Sequence, residues 1–209
     1  MKELVAPFLE DAGRILALPR VRIDEAPWGA TYRPRAEAAL GWRPDGLVVL
    51  LAAWEESPRA VETVPNAEVY QDSCLEFFVQ PFPKVSPAYL NFEFNARGTL
   101  LLGFDGPDGP AGERIRLPEA EGSAFGIRSL RLDGGRAWGI RFHVPFAFLA
   151  RRFGPTGMAP GHAFRGNFQK CGDRCEVPHF LAWNPIAAPA PDFHRRECFG
   201  ALRLGELLL

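Results

Sequence analysis

The residues best suited to chemistry lie in V-Y-Q-D-S-C-L-E-F-F-V-Q-P, which starts at Val69, and Y-L-N-F-E-F-N-A-R-G-T-L-L-L, which ends at Leu102. Strand side chains alternate between two faces, so Leu90, Phe92 and Phe94 share one face while Tyr89, Asn91, Glu93 and Asn95 share the other. Glu76 alternates in the same way against Leu75, Phe77 and Val79, and joins the polar row if the two segments pair. A row of amides and carboxylates with an aromatic at its edge can grip a polyhydroxylated ligand. The carboxylate accepts, the amide both donates and accepts, and the aromatic face covers apolar C–H surface. The reading is therefore a binding face on an exposed side of a β-sheet, although an ordinary solvated face accounts for the same pattern. Asp72 fits turn or edge geometry better than ligand contact.

Two other clusters invite a chemical reading. Cys171, Cys175 and His179 have the spacing C-x3-C-x3-H, a weak zinc signal for which only His194 or Cys198 offers a fourth ligand. The expectation is that they hold no metal. Glu76 and Glu93 on neighbouring strands could form a glycosidase pair, but hydrolysis needs one carboxyl kept protonated in an apolar pocket, which a face lined by Asn does not suggest. The chain has no nucleophile elbow, phosphate-binding glycine loop or dinucleotide fingerprint, and the expectation is a protein that is not an enzyme.

These residues must be positioned by strands. Residues 47–54 form a continuous apolar run, as in a strand covered on both faces. Trp138, Ile140, Phe142 and Val144 alternate with Gly139, Arg141 and His143, and Pro145 closes that strand. Phe164, Gly166 and Phe168 alternate with Arg165, Asn167 and Gln169, and Leu202 and Leu204 form a last strand. Turn chemistry separates the runs at Pro44-Asp45-Gly46, at 95–98, at 105–109 and at Asp133-Gly134-Gly135. Helical signals are limited to 8–18 and 145–152. With 21 Gly and 20 Pro spread along 209 residues, 47% hydrophobic residues, and 17 Phe against 2 Met, the fold expected is all-β. It is a single-domain antiparallel β-sandwich with short peripheral helices, residues 1–20 forming an N-terminal extension. A formal net charge of −1 provides no basic field for nucleic acid or an anionic membrane. The N-terminus lacks an apolar signal core and a small-residue cleavage site, so a cytoplasmic location is expected unless a leader was trimmed, with the four cysteines reduced.

The ordered segments V-Y-Q-D-S-C-L-E-F-F-V, Y-L-N-F-E-F-N-A-R-G-T-L, W-G-I-R-F-H-V-P-F, F-R-G-N-F-Q-K-C, H-F-L-A-W-N-P and P-D-F-H-R-R-E-C-F-G-A-L resemble a stand-alone family 9 carbohydrate-binding module, from about Val21 to Leu204. The resemblance implies a jelly-roll-like sandwich of the wider DOMON-like group. It also implies non-catalytic binding of a mono- or oligosaccharide, in the best-known members at a glycan end, with the ring held between two aromatics. Carried over by position, Tyr70 is the first aromatic and Trp183 the second, with Glu76, Glu93, Asn95 and Asn167 as polar contacts. Tyr70 stands where such modules tend to carry Trp, and Glu93 where xylanase-attached modules tend to carry Arg, so no sugar specificity follows. No cofactor is required, and a structural calcium is compatible with the family. The competing reading is a DOMON-like module that has lost sugar binding and holds haem or a protein partner. Met158 is the only internal methionine that could serve a haem.

Overall fold

The computed structural model describes residues 1–106, 113–115, 123–154 and 157–206. Its strands are β1 (Glu3–Ala6), β2 (Val21–Arg22), β3 (Arg35–Arg43), β4 (Gly46–Trp54), β5 (Cys74–Gln80), β6 (Tyr89–Asn95) and β7 (Leu100–Asp105). They continue with β8 (Glu113–Arg114), β9 (Arg128–Leu132), β10 (Ala137–Pro145), β11 (Ala163–Cys171), β12 (Phe180–Ala182) and β13 (Gly200–Leu204). They form two sheets, as expected of a β-sandwich. The larger is ordered β1-β13-β11-β5-β6-β7-β8 with β12 also on β11, and the smaller β2-β3-β4-β10-β9. Every pairing is antiparallel except β1 with β13. That exception changes the role of the first residues. The segment expected as an extension supplies the edge strand of the larger sheet.

Alternation sorts the core as the sequence indicates. Phe77, Phe92 and Phe94 of the larger sheet meet Phe142 of β10, with ring centroids 6.5, 5.4 and 4.7 Å away. Phe168 of β11 stacks on Phe77 at 5.0 Å. The apolar run of β4 is buried on both faces: Leu47, Val49 and Leu51 enter the main core, while Val48 and Leu50 pack beneath Leu9 and Ile15. Ile15 belongs to a 3-10 turn (Ala12–Ala17) capped by the Asp11 carboxylate, within the segment expected to be helical. Helix α1 (Phe146–Phe153) follows Pro145 and buries Phe148 and Leu149. Two hairpins depend on local chemistry. Arg43 and Gly46 pair across Pro44-Asp45, and the turn at 95–98 uses Gly98 at φ 85°, where a Cβ is strained. The turn expected at 105–109 lies partly outside the described residues.

The polar row is not an exposed sheet face. Glu76 and Glu93 are Cα partners across β5–β6 and point away from the core as the alternation requires, yet Glu76, Asn91, Glu93 and Asn95 are all buried. The segments before β5 and after β11 fold over this side of the larger sheet, bringing Tyr70, Phe180 and Phe193 onto it. No helix among the described residues is long and apolar enough to cross a membrane.

Candidate functional site

Between the covering segments and the sheet lies a cavity of about 220 Å³. Four acids line it: Glu76 and Glu93 on neighbouring strands, and Asp173 and Asp192 from the loops above. Four rings line it as well: Tyr70, Phe78, Phe180 and Phe193. Trp28 buttresses the last two, with centroids 6.3 Å from Phe180 and 5.7 Å from Phe193, while its indole N–H donates to the Ala188 carbonyl at 2.8 Å. His194 closes one side, its Nδ1 2.7 Å from the Tyr89 hydroxyl. Among the described residues, no lysine or arginine lines the cavity.

The floor is built by strand register. Asn91 donates to Glu93 Oε1 at 2.7 Å. Its side chain lies against Gly103, directly opposite on β7; a Cβ at residue 103 would come within 2.3 Å of the Asn91 amide oxygen. Burial, and then the neighbouring Glu93 charge, push the Glu76 carboxyl well above the ordinary carboxylate range. Its Oε1 accepts from the Cys171 thiol at 3.0 Å. Its Oε2 has no hydrogen-bond partner among the described residues, and neither does the amide of Gln169, the Cα partner of Glu76 on β11. Buried polar groups are normally satisfied, so this row, two side chains wide, has capacity left for a hydrogen-bonding ligand.

The residues expected at the site divide into two groups. Tyr70, Glu76 and Glu93 meet in the cavity. Asn95, Asn167 and Trp183 do not line it, and each has a different task. Asn95 donates to the Glu62 carbonyl at 2.7 Å and to Asp72 Oδ2 at 2.9 Å, and accepts from the backbone N–H groups of Arg97 and Thr99 at 3.1 Å each. It holds the turn at 95–98. Asp72 is likewise structural, accepting from the N–H groups of Val61 and Glu62 at 2.9 Å. Asn167 pins the chain after β12, donating to the Asn184 carbonyl at 3.1 Å and accepting from its N–H at 2.9 Å. Trp183 is 3% exposed and packs edge-on to Phe168 in the main core, so it cannot present a face to a ligand. Phe78, Phe180, Phe193, Asp173, Asp192 and Gln169 were missed, although most lie in the segments that carry the family resemblance.

Cys171, Cys175 and His179 do not form one ligand set. Cys171 faces Glu76, whereas His179 Nε2 lies 2.7 Å from Lys170 Nζ and its Nδ1 2.9 Å from the Val177 carbonyl. That arrangement places the imidazole proton on Nδ1 and commits the Nε2 lone pair to the lysine. Burial, and then Lys170, lower the His179 pKa to about 4. Lys170, fully buried, also meets Glu55 Oε1 at 3.3 Å and donates to Ser73 at 3.2 Å. Burial pushes the Glu55 carboxyl up, but Lys170 and hydrogen bonds from Ser73 and Trp138 outweigh it and hold the carboxyl below its ordinary value. This buried ion pair joins β11 to the end of β4 across the sandwich. His194 and Cys198 offer no fourth ligand: His194 faces Tyr89, and Cys198 Sγ accepts from the Ala187 N–H at 3.5 Å. The described residues do bring a different set together, Cys74, Glu76 and Cys171, whose ligand atoms lie within 4.8 Å of one another. Met158 packs in the main core and does not line the cavity.

Comparison with known proteins agrees with the sandwich. A crystal structure of a provisionally assigned carbohydrate-binding protein from Bacteroides uniformis ATCC 8492 superposes with a TM-score of 0.79 at 26% identity, covering 97% of this chain and 99% of that one. A family 9 carbohydrate-binding module from Caldicellulosiruptor kristjanssonii in complex with glucose superposes with a TM-score of 0.64 at 12% identity, over 98% and 97% of the two chains. The same organism's module in complex with cellotriose gives 0.64 at 13%, over 98% and 94%. No curated protein matches the chain. The family model for Carbohydrate-binding family 9 matches residues 14–204, almost the whole sandwich from the 3-10 turn to β13, and the chain belongs to that family.

Proposed function

We propose that this protein binds carbohydrate without transforming it, and that a sugar ring enters the cavity over β5 and β6. The observation that carries the reading is the lining itself, in which two carboxyl side chains from adjacent strands share one cavity with four aromatic rings. A sugar needs an apolar platform for its C–H face and both donors and acceptors for its hydroxyls. Tyr70, Phe180 and Phe193 supply platforms. Burial and the Glu93 charge push the Glu76 carboxyl well above the ordinary range, which favours its donating as well as accepting, so the pair can answer both halves of a hydroxyl. At ~30 Å³ per water the cavity equals about seven waters, the scale of one ring at a chain end. Family membership and the glucose and cellotriose held by the family 9 modules of C. kristjanssonii support this ligand class.

Binding rather than hydrolysis follows from the register. Glu76 does meet the requirement for a protonated acid. However, Glu76 and Glu93 are cross-strand partners, so their carboxyls stand side by side on one floor instead of flanking a glycosidic bond. Calorimetry with glucose and cello-oligosaccharides, backed by a broad glycan array, tests the proposal. Affinities on the order of 10 µM to 1 mM are expected for a ligand with few atoms in contact, with Glu76→Ala and Phe193→Ala removing the signal. No binding by the wild type to any glycan would eliminate the carbohydrate reading.

A further inference from the structure

Beside Glu76, at the base of the cavity, lie two thiols that sugar recognition does not use. Cys74 and Cys171 are Cα partners across β5–β11, and Glu76 follows Cys74 by two residues, on the same face. Register therefore brings two sulfurs and a carboxylate oxygen within 4.8 Å of one another, a constellation invisible to any scan of local cysteine spacing. Glu76 is 2% exposed, and its Oε2 has no hydrogen-bond partner among the described residues. The remaining charge at the cavity is acidic, from Glu93, Asp173 and Asp192, and among the described residues no lysine or arginine lines it.

We propose that Cys74, Cys171 and Glu76 bind a thiophilic divalent cation of the zinc class, with a fourth coordination position open to the cavity. Two thiolates and one carboxylate are a donor set that such ions favour and that calcium and magnesium do not. Zinc–sulfur bonds of about 2.3 Å and zinc–oxygen bonds of about 2.1 Å place tetrahedral donors roughly 3.5–3.8 Å apart. Reaching that range from the present spread of up to 4.8 Å requires the side chains to turn toward the ion, which opens the 3.0 Å Cys171–Glu76 contact slightly. The thiols and the Glu76 carboxyl release their protons to solvent on binding. At present burial holds those protons in place, with the Cys74 pKa pushed up to about 12 and those of Cys171 and Glu76 well above their usual values. Cys171 and Glu76 line the cavity, which gives an ion its route in.

The test is a Co²⁺ titration of the reduced, chelator-treated full chain. A thiolate-to-cobalt charge-transfer band and tetrahedral d–d absorption should saturate at one equivalent and disappear when Zn²⁺ is added. Cys74→Ala and Cys171→Ala should each abolish the two-thiolate spectrum, while Cys175→Ser leaves it unchanged. In the wild type, the charge-transfer intensity per cobalt counts the thiolates bound, two being expected, a readout that needs no variant to fold. Absence of the charge-transfer band in the wild type would overturn the proposal. So would its persistence in a folded Cys74→Ala or Cys171→Ala variant, or its loss in Cys175→Ser, which would place the ion at Cys175 instead. No sugar enters the assay, so its outcome is separate from that of the carbohydrate reading.

Discussion

Replacing Asn95 by alanine separates fold from site. The side chain is fully buried and makes four hydrogen bonds: two donated, to the Glu62 carbonyl and Asp72, and two accepted, from Arg97 and Thr99. At a net value of about 1 kcal/mol per bond the loss is about 3–4 kcal/mol. In a domain of this size that corresponds to a fall in melting temperature of roughly 10 °C. Global stability of about 5–15 kcal/mol leaves the variant folded at room temperature. Urea denaturation should show the midpoint reduced at an unchanged slope. Because Asn95 does not line the cavity, calorimetry on the folded variant should give the wild-type affinity for whichever glycan binds. Glu76→Ala is the counterpart, expected to lose sugar affinity because it removes both the donor and the acceptor at that position. A thermally unchanged Asn95→Ala that no longer binds sugar would refute both the turn assignment and the location of the site.

Phe94→Ala, which deletes a fully buried ring 4.7 Å from Phe142, should cost about 3–5 kcal/mol by urea denaturation. Lys170→Met leaves Glu55 buried without its counter-charge and should cost about 3–5 kcal/mol, part of which a Lys170→Met/Glu55→Gln double variant recovers in a thermodynamic cycle. His179 should titrate at about 4 by NMR; the folded state then binds fewer protons than the unfolded one between there and the ordinary 6.5, so stability falls as pH drops through that window. Glu76 acts with the opposite sign. Its raised pKa contributes stability that is complete below the ordinary value and is lost as pH climbs above it, and Glu76→Gln should flatten that decline in stability curves measured from acid to alkaline pH.

Alternation made the β5–β6 pair, the two-faced burial of β4 and the inward Phe rows legible, because strand sidedness is a local property of the chain. What covers a face is not local. The row from Asn91 to Asn95 read as exposed because the segments that bury it arrive from residues far away in sequence, and no periodicity encodes that docking. Trp183 failed as a platform for a related reason: β12 continues along β11 where the β11–β13 pairing stops, which turns the next side chain into the core. The C-x3-C-x3-H spacing brings no ligand set together because alternation sends Cys171 and Lys170 to opposite faces, and the lysine captures His179. Glu76, Glu93 and Tyr70 do converge on one cavity, because register and a short 3-10 turn (Val69–Gln71) are enough to bring them together.

The side-by-side pairing of β1 with β13 sets a timetable for folding. Synthesis delivers β1 well before β13, its strand partner among the described residues, so β1 must stay unpaired while the strands between them are made. Contacts between segments far apart in sequence are slow to form, and until this one does, β13 remains an open edge able to pair with another copy. Residues 3–6 thus act as the seam that closes the larger sheet. Loss of these four residues would leave the cavity's lining side chains intact while making the protein prone to aggregate as it folds.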